Sequence, residues 1–140
     1  PGVAYKYFET KGKQNLATLP GLTPTATGVT QDISVAVKKR ASEFSLLFDG
    51  YLKIEKDGIY HFTTRSDDGS ILYIDDIEVV NNDGDHGSVE AAGKAALKKG
   101  YHKIRVAYYD GSGGNELTAT MQLENAPKNT LNSKLIWTKK

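Results

Sequence analysis

Glycine, aspartate and asparagine recur at short intervals along this chain, and between them lie runs of about five to eight residues rich in Val, Ile, Thr, Tyr and Phe. That layout is all-β: β-branched and aromatic side chains suit a half-buried pleated surface, and the punctuating residues make turns. Val3 to Phe8 reads as the opening strand. Phe44 to Phe48 and Tyr51 to Ile54 form a second stretch, with a bulge or bend expected at Asp49-Gly50. Lys56-Asp57-Gly58 turns the chain into Ile59 to Arg65, Ser66 to Ser70 is a polar loop, and Asp75-Asp76 joins Ile71 to Ile74 with Ile77 to Val80 as a two-residue hairpin connection.

The clearest alternation sets His102, Ile104, Val106 and Tyr108 against Tyr101, Lys103, Arg105 and Ala107, and then Leu117, Ala119, Met121 and Leu123 against Thr118, Thr120 and Gln122. One face of each strand meets a core. Between them, Asp110 to Glu116 holds three glycines, which permit backbone conformations that residues with a β-carbon avoid. Leu135 to Thr138 reads as a closing strand. Gln14 to Gln31, with two prolines and little periodicity, reads as an irregular excursion within the domain. Ile33 to Glu43 stays open between strand and a short helical turn, because Val35 and Val37 alternate.

A chain of 140 residues suits one domain with a real core, and 39% apolar with 25% charged residues is the balance of a folded chain. Lys plus Arg total 18 against 17 Asp plus Glu, so the net charge of +1 gives no field for steering toward nucleic acid or anionic membrane. The densest basic cluster, Lys38-Lys39-Arg40, reads as a solvated loop. With no cysteine, disulfides and thiolate metal sites are excluded. No apolar run approaches the roughly 18 residues of a membrane helix. The chain opens Pro1-Gly2 with neither initiator Met nor signal peptide, and the expectation is a processed piece of something longer, monomeric when isolated.

Asp67 and Asp68 are adjacent carboxylates in a loop, the hard anionic oxygens that Ca²⁺ favours; Asp-Asp-Gly between strands is equally an ordinary turn, and spacing alone leaves both readings open. The Asp110 to Leu117 loop offers a second contributor, since glycine-rich backbone can aim carbonyls at a cation while Asn115 adds a neutral side-chain oxygen. It reads equally as a flexible hairpin. Asn81 to Gly87 resembles the opening of an EF-hand loop but fails: Gly is needed where His86 stands and a bidentate Glu where Ala92 stands. It is kept as a rim of the site, through Asp85 and His86, or as a structural turn. His61, His86 and His102 lack zinc-ligand spacing, no Gly-x-Ser-x-Gly elbow is present, and Gly111 to Gly114 lacks the Lys-Ser/Thr ending of a phosphate loop. Enzyme activity is not expected.

Phe48 to Ile54, Gly58 to Ser70 and Leu72 to Asp75, followed in order by Asn82-Asp83-Gly84, His86-Gly87, Gly100-Tyr101-His102 and Tyr108-Tyr109, resemble the core signature of PA14 domains, over about Val3 to Trp137. The resemblance implies an antiparallel β-sandwich with barrel-like curvature, found in bacterial glycoside hydrolases, adhesins and toxins. In its sugar-binding members a consecutive Asp pair joined by a cis peptide binds Ca²⁺ with an Asn and backbone carbonyls of a later loop, and the ion ligates sugar hydroxyls. Asp67 and Asp68 match the pair and Asn115 the Asn. Tyr109, beside that loop, is the aromatic expected to pack on the sugar, with Asp110, Glu116, Asp85 and His86 around it.

Three readings follow. The first is a calcium-dependent glycan-binding module of a larger extracellular, periplasmic or cell-surface protein, with glycan and the parent chain's other domains as partners. The second is a metal-free structural module packed on a catalytic domain. The third, kept because glycosidases also use clustered acids, is a catalytic module.

Overall fold

In the computed structural model, which describes residues 1–140, the longest strands dictate the rest. Strand β3 (Phe44–Ile54) alternates buried Phe44, Leu46, Phe48, Leu52 and Ile54 with residues of the opposite face, and pairs antiparallel with β8 (Gly100–Asp110) along its whole length, from Phe44 opposite Asp110 to Ile54 opposite Gly100. Strands β1 (Val3–Glu9), β2 (Ala26–Thr30), β5 (Ser70–Ile74), β6 (Ile77–Asn82) and β11 (Ile136–Trp137) complete a seven-stranded sheet in the order β2-β1-β3-β8-β5-β6, with β11 also on β3. The second sheet orders β10 (Asn129–Thr130), β9 (Glu116–Leu123), β4 (Gly58–Asp67) and β7 (Val89–Leu97). Every pairing is antiparallel.

The inner faces enclose one core that includes Phe44, Phe48, Phe62, Ile104, Val106, Tyr108, Leu117 and Met121. A smaller cluster lies on the outer face of the large sheet, where the short 3₁₀ segment Leu16–Gly21 lays Leu16 and Leu19 over Phe8, Leu47, Ile71, Ala107 and Tyr109. Both faces of β8 are therefore buried at its C-terminal end, and the simple inward-outward alternation ends there.

The sheets approach each other at β6 and β7, where a Cβ on Gly93 would lie 1.8 Å from the Val79 carbonyl oxygen, yet they do not close into a barrel. The bulge expected at Asp49-Gly50 is absent: the β3–β8 register runs through it unbroken. Gly50 marks instead the handover of the other β3 edge from β1 to β11, and a Cβ there would meet Ile136 Cγ2 at 2.5 Å. The register shift falls between Leu72 and Tyr73. Asp75 and Asp76 form the two-residue hairpin turn, both with positive φ (52° and 66°).

Three strands escape the sequence pattern, the two-residue β10 among them. β2 lies in the stretch read as irregular, a Thr- and Gly-containing edge strand paired only with β1. β7 is rich in alanine, a weak strand former, and is held by pairing with β4. Between Ile33 and Glu43 the chain makes one 3₁₀ turn, Val35–Val37. No helix is long and apolar enough to cross a membrane.

Candidate cation centre at the loop end

Three connections carry the chain from one sheet to the other at the same end of the sandwich: 68–69 from β4 to β5, 83–88 from β6 to β7, and 111–115 from β8 to β9. Beneath them lies a buried polar layer. On β4 the inward sequence Tyr60, Phe62, Thr64, Ser66 turns from apolar to hydroxyl, and Ser70 Oγ donates to Thr64 Oγ1 (2.9 Å) while pairing with Ser66 Oγ (2.7 Å). Buried Asn82 donates through Nδ2 to the carbonyls of Val89 (2.8 Å) and Thr64 (3.2 Å) and to Ser66 Oγ (3.2 Å). Sequence reasoning missed this layer; its signal was the change from apolar to hydroxyl residues at the inward positions of β4.

Above the layer the chain brings together Asp67, Asp68 and Asp110, each with a carboxylate oxygen within 4.8 Å of the others. The Asp67–Asp68 peptide bond is cis, and the Asp67 carbonyl accepts from the Tyr108 hydroxyl. Asp68 accepts the Gly111 N–H at Oδ2 (2.8 Å) and the His86 N–H at Oδ1 (3.2 Å). Asp110, the last residue of β8, is fully buried; its Oδ2 accepts the Glu43 N–H at 3.2 Å, and its Oδ1 has no hydrogen-bond partner. The glycine loop passes close by, with a Cβ on Gly114 lying 3.6 Å from Asp67 Oδ2.

The electrostatics are those of crowded anions. Burial pushes the Asp110 carboxyl up to about 6, the Glu43 amide opposes the rise, and the charges of Asp68 and Asp67 add to it. Burial and then Asp68 raise Asp67, against His86. Burial works against charging His86, but the carbonyls of Gly87 and Asn82 and the carboxylates of Asp68 and Asp67 outweigh it and raise the ring above its ordinary range. Its Nδ1 lies 2.7 Å from the Gly87 carbonyl oxygen and Nε2 2.8 Å from that of Asn82, an arrangement that only the doubly protonated ring satisfies at both ends. A partly buried trio of carboxylates with one orphaned oxygen is a donor set for a hard divalent cation.

The other sequence candidates fall into two groups. Asp85 and His86 form a supporting ring: Asp85 Oδ1 accepts the Tyr109 hydroxyl at 2.7 Å, and His86 reaches Asp68 through its backbone. Glu116 pairs with Ser88, and Asn115 turns toward the segment before β3, its Oδ1 accepting Lys38 Nζ at 2.8 Å and its Nδ2 donating to the Ala41 carbonyl. The expectation that the Tyr109 ring packs on a sugar is corrected: the residue is 0% exposed, because its ring belongs to the outer cluster under Leu16 and Leu19. Gly69, read as a turn glycine, is also required by packing, since a Cβ there would meet Tyr109 Cε1 at 2.7 Å and the Gly84 nitrogen at 2.8 Å.

Fold and site together define a β-sandwich domain with a loop-end acidic centre. The PA14 domain profile matches residues 1–134, and the chain belongs to the PA14 domain family. It superposes on the PA14 domain of the MpAFP antifreeze protein with a TM-score of 0.84 at 19% identity, covering 99% of this chain and 90% of that one. The PA14 sugar-binding domain from an RTX adhesin gives 0.81 at 16% identity, covering 96% and 97%. The A domain of epithelial adhesin 6 from Candida glabrata, solved in complex with Galβ1-3GlcNAc, gives 0.71 at 13% identity, covering 98% and 86%. Comparison with curated protein sequences gives no match.

Proposed function

We propose that this chain is a non-enzymatic carbohydrate-binding module of an extracellular or cell-surface protein, and that its loop-end acids hold a Ca²⁺ ion for that purpose. The observation that carries the reading is the orphaned Oδ1 of fully buried Asp110 beside Asp67 and Asp68. An isolated buried carboxylate oxygen is costly unless something positive meets it. Asp67, Asp68 and Asp110 would be the anionic ligands and carbonyls of the 111–115 loop the neutral ones; Asn115, whose Oδ1 accepts Lys38 Nζ here, would join them only by releasing that lysine. When bound, a Ca²⁺ ion with open coordination positions supplies attraction for sugar hydroxyls, which are weak neutral ligands.

The protein's own residues do the positioning. Asp68 joins its loop to the other two crossing loops, and the Tyr108 hydroxyl fixes the Asp67 carbonyl. The adhesin relatives, one described as sugar-binding and one solved with a disaccharide, support the glycan reading. The test is a thermal melt in excess EDTA and then in millimolar Ca²⁺, because a ligand that binds only the folded state raises the midpoint. A clear rise, followed by selective signals on a glycan array, is the expected result; no rise returns the chain to a structural role.

A further inference from the structure

The basic cluster Lys38-Lys39-Arg40 lies beside the acid trio. Arg40 anchors its segment by donating from Nε to the Glu43 carbonyl (2.9 Å) and from its terminal nitrogen to the Thr10 carbonyl (3.4 Å), and it lies 3.8 Å from Glu9. The Glu43 N–H then reaches Asp110, and the Ala41 carbonyl and Lys38 ammonium grip opposite ends of the Asn115 amide. Residues 38–43 are thus a fixed wall on one side of the site.

Within that wall Lys38 is exposed and meets no carboxylate, since the ion pairs of the protein involve Arg40, Lys53, His61, His102, Lys103 and Arg105. Its partner is one neutral amide oxygen, on a residue next to the glycine that flanks Asp67.

We infer that Lys38 is a specificity-determining residue that makes the site prefer glycans bearing a carboxylate, of the uronic-acid type, over neutral ones; this rests on the calcium-dependent glycan reading above. The Lys38 ammonium supplies a positive charge that no carboxylate of the protein takes up, and exchanging the Asn115 amide oxygen for a ligand carboxylate turns a neutral acceptor into a charged one. The four-carbon stem of lysine lets the ammonium follow the ligand.

The test is a calcium-loaded glycan array of matched neutral and uronate-terminated oligosaccharides, probed with the wild type, Lys38→Met and Lys38→Arg, followed by titration calorimetry on the strongest matched pair. At low salt the acidic member binds the wild type about three- to fivefold more tightly, as suits one exposed ion pair. The ratio falls to about one in Lys38→Met and in high salt, and is retained in Lys38→Arg. Neutral and acidic partners binding equally well in the wild type, or a ratio unchanged in Lys38→Met, overturns the role of Lys38 alone. No calcium-dependent glycan signal of either kind overturns the glycan reading and this inference together.

Discussion

The Oδ2 atom of Asp68 accepts the N–H of Gly111, 43 residues later in the chain, at 2.8 Å, while its Oδ1 accepts the N–H of His86 at 3.2 Å. One side chain therefore binds all three connections that pass between the sheets. Asp68→Ala loses both bonds and leaves two amide donors to find water, which costs about 2 kcal/mol of stability in EDTA, read by urea unfolding. The same variant loses the calcium-induced rise in melting temperature.

Asp110→Asn separates metal binding from folding. The substitution keeps the shape of the side chain and removes one of three crowded negative charges, so stability in EDTA stays at or above that of the wild type while the calcium response disappears. A calcium shift of wild-type size in Asp110→Asn removes Asp110 from the ligand set.

The raised Asp110 carboxyl makes the metal-free protein pH-sensitive. With a folded value of about 6 against an ordinary 3.8, the native state holds the proton more tightly than the unfolded chain does. Its contribution to stability is fully present below 3.8 and is lost as pH rises through about 6. Calcium requires the ionised form, so the calcium-induced melting shift grows from pH 5 toward pH 7 and then levels off. Melts across that range, with and without calcium, check this; a shift of constant size across the range contradicts it.

Tyr109→Phe removes the hydroxyl that donates to Asp85 Oδ1 but leaves the buried ring in place. The expected loss is about 1 kcal/mol in urea unfolding, with the calcium response intact. Glycan affinity that collapses while stability holds would return Tyr109 to the binding surface.

Gly93→Ala tests the close approach of the sheets. The added carbon would fall 1.8 Å from the Val79 carbonyl oxygen, far inside contact distance, and backbone must move to admit it. A loss of about 3 kcal/mol or more is expected, at the upper end of overpacking costs. Near-normal stability would mean that β6 and β7 separate easily.

Much of the sandwich was legible because strand faces are written locally. The period of two in Ile104, Val106 and Tyr108, and again in Leu117, Ala119 and Met121, states which side chains point inward whatever the neighbouring strands are. The Asp75-Asp76 hairpin was legible for the same reason. β7 was not, because its alanines carry no strand preference of their own and their order comes from β4.

An all-β domain, the inward faces of its longer strands and an adjacent acidic pair between two of them can all be read from residue order alone. It takes the folded chain to bring Asp110 to that pair, to cover the Tyr109 ring with Leu16 and Leu19, and to set Lys38 beside Asn115. Separation along the chain accounts for the difference. Local periodicity records burial of one face, whereas convergence of loops tens of residues apart depends on which strands pair and where the chain crosses between sheets.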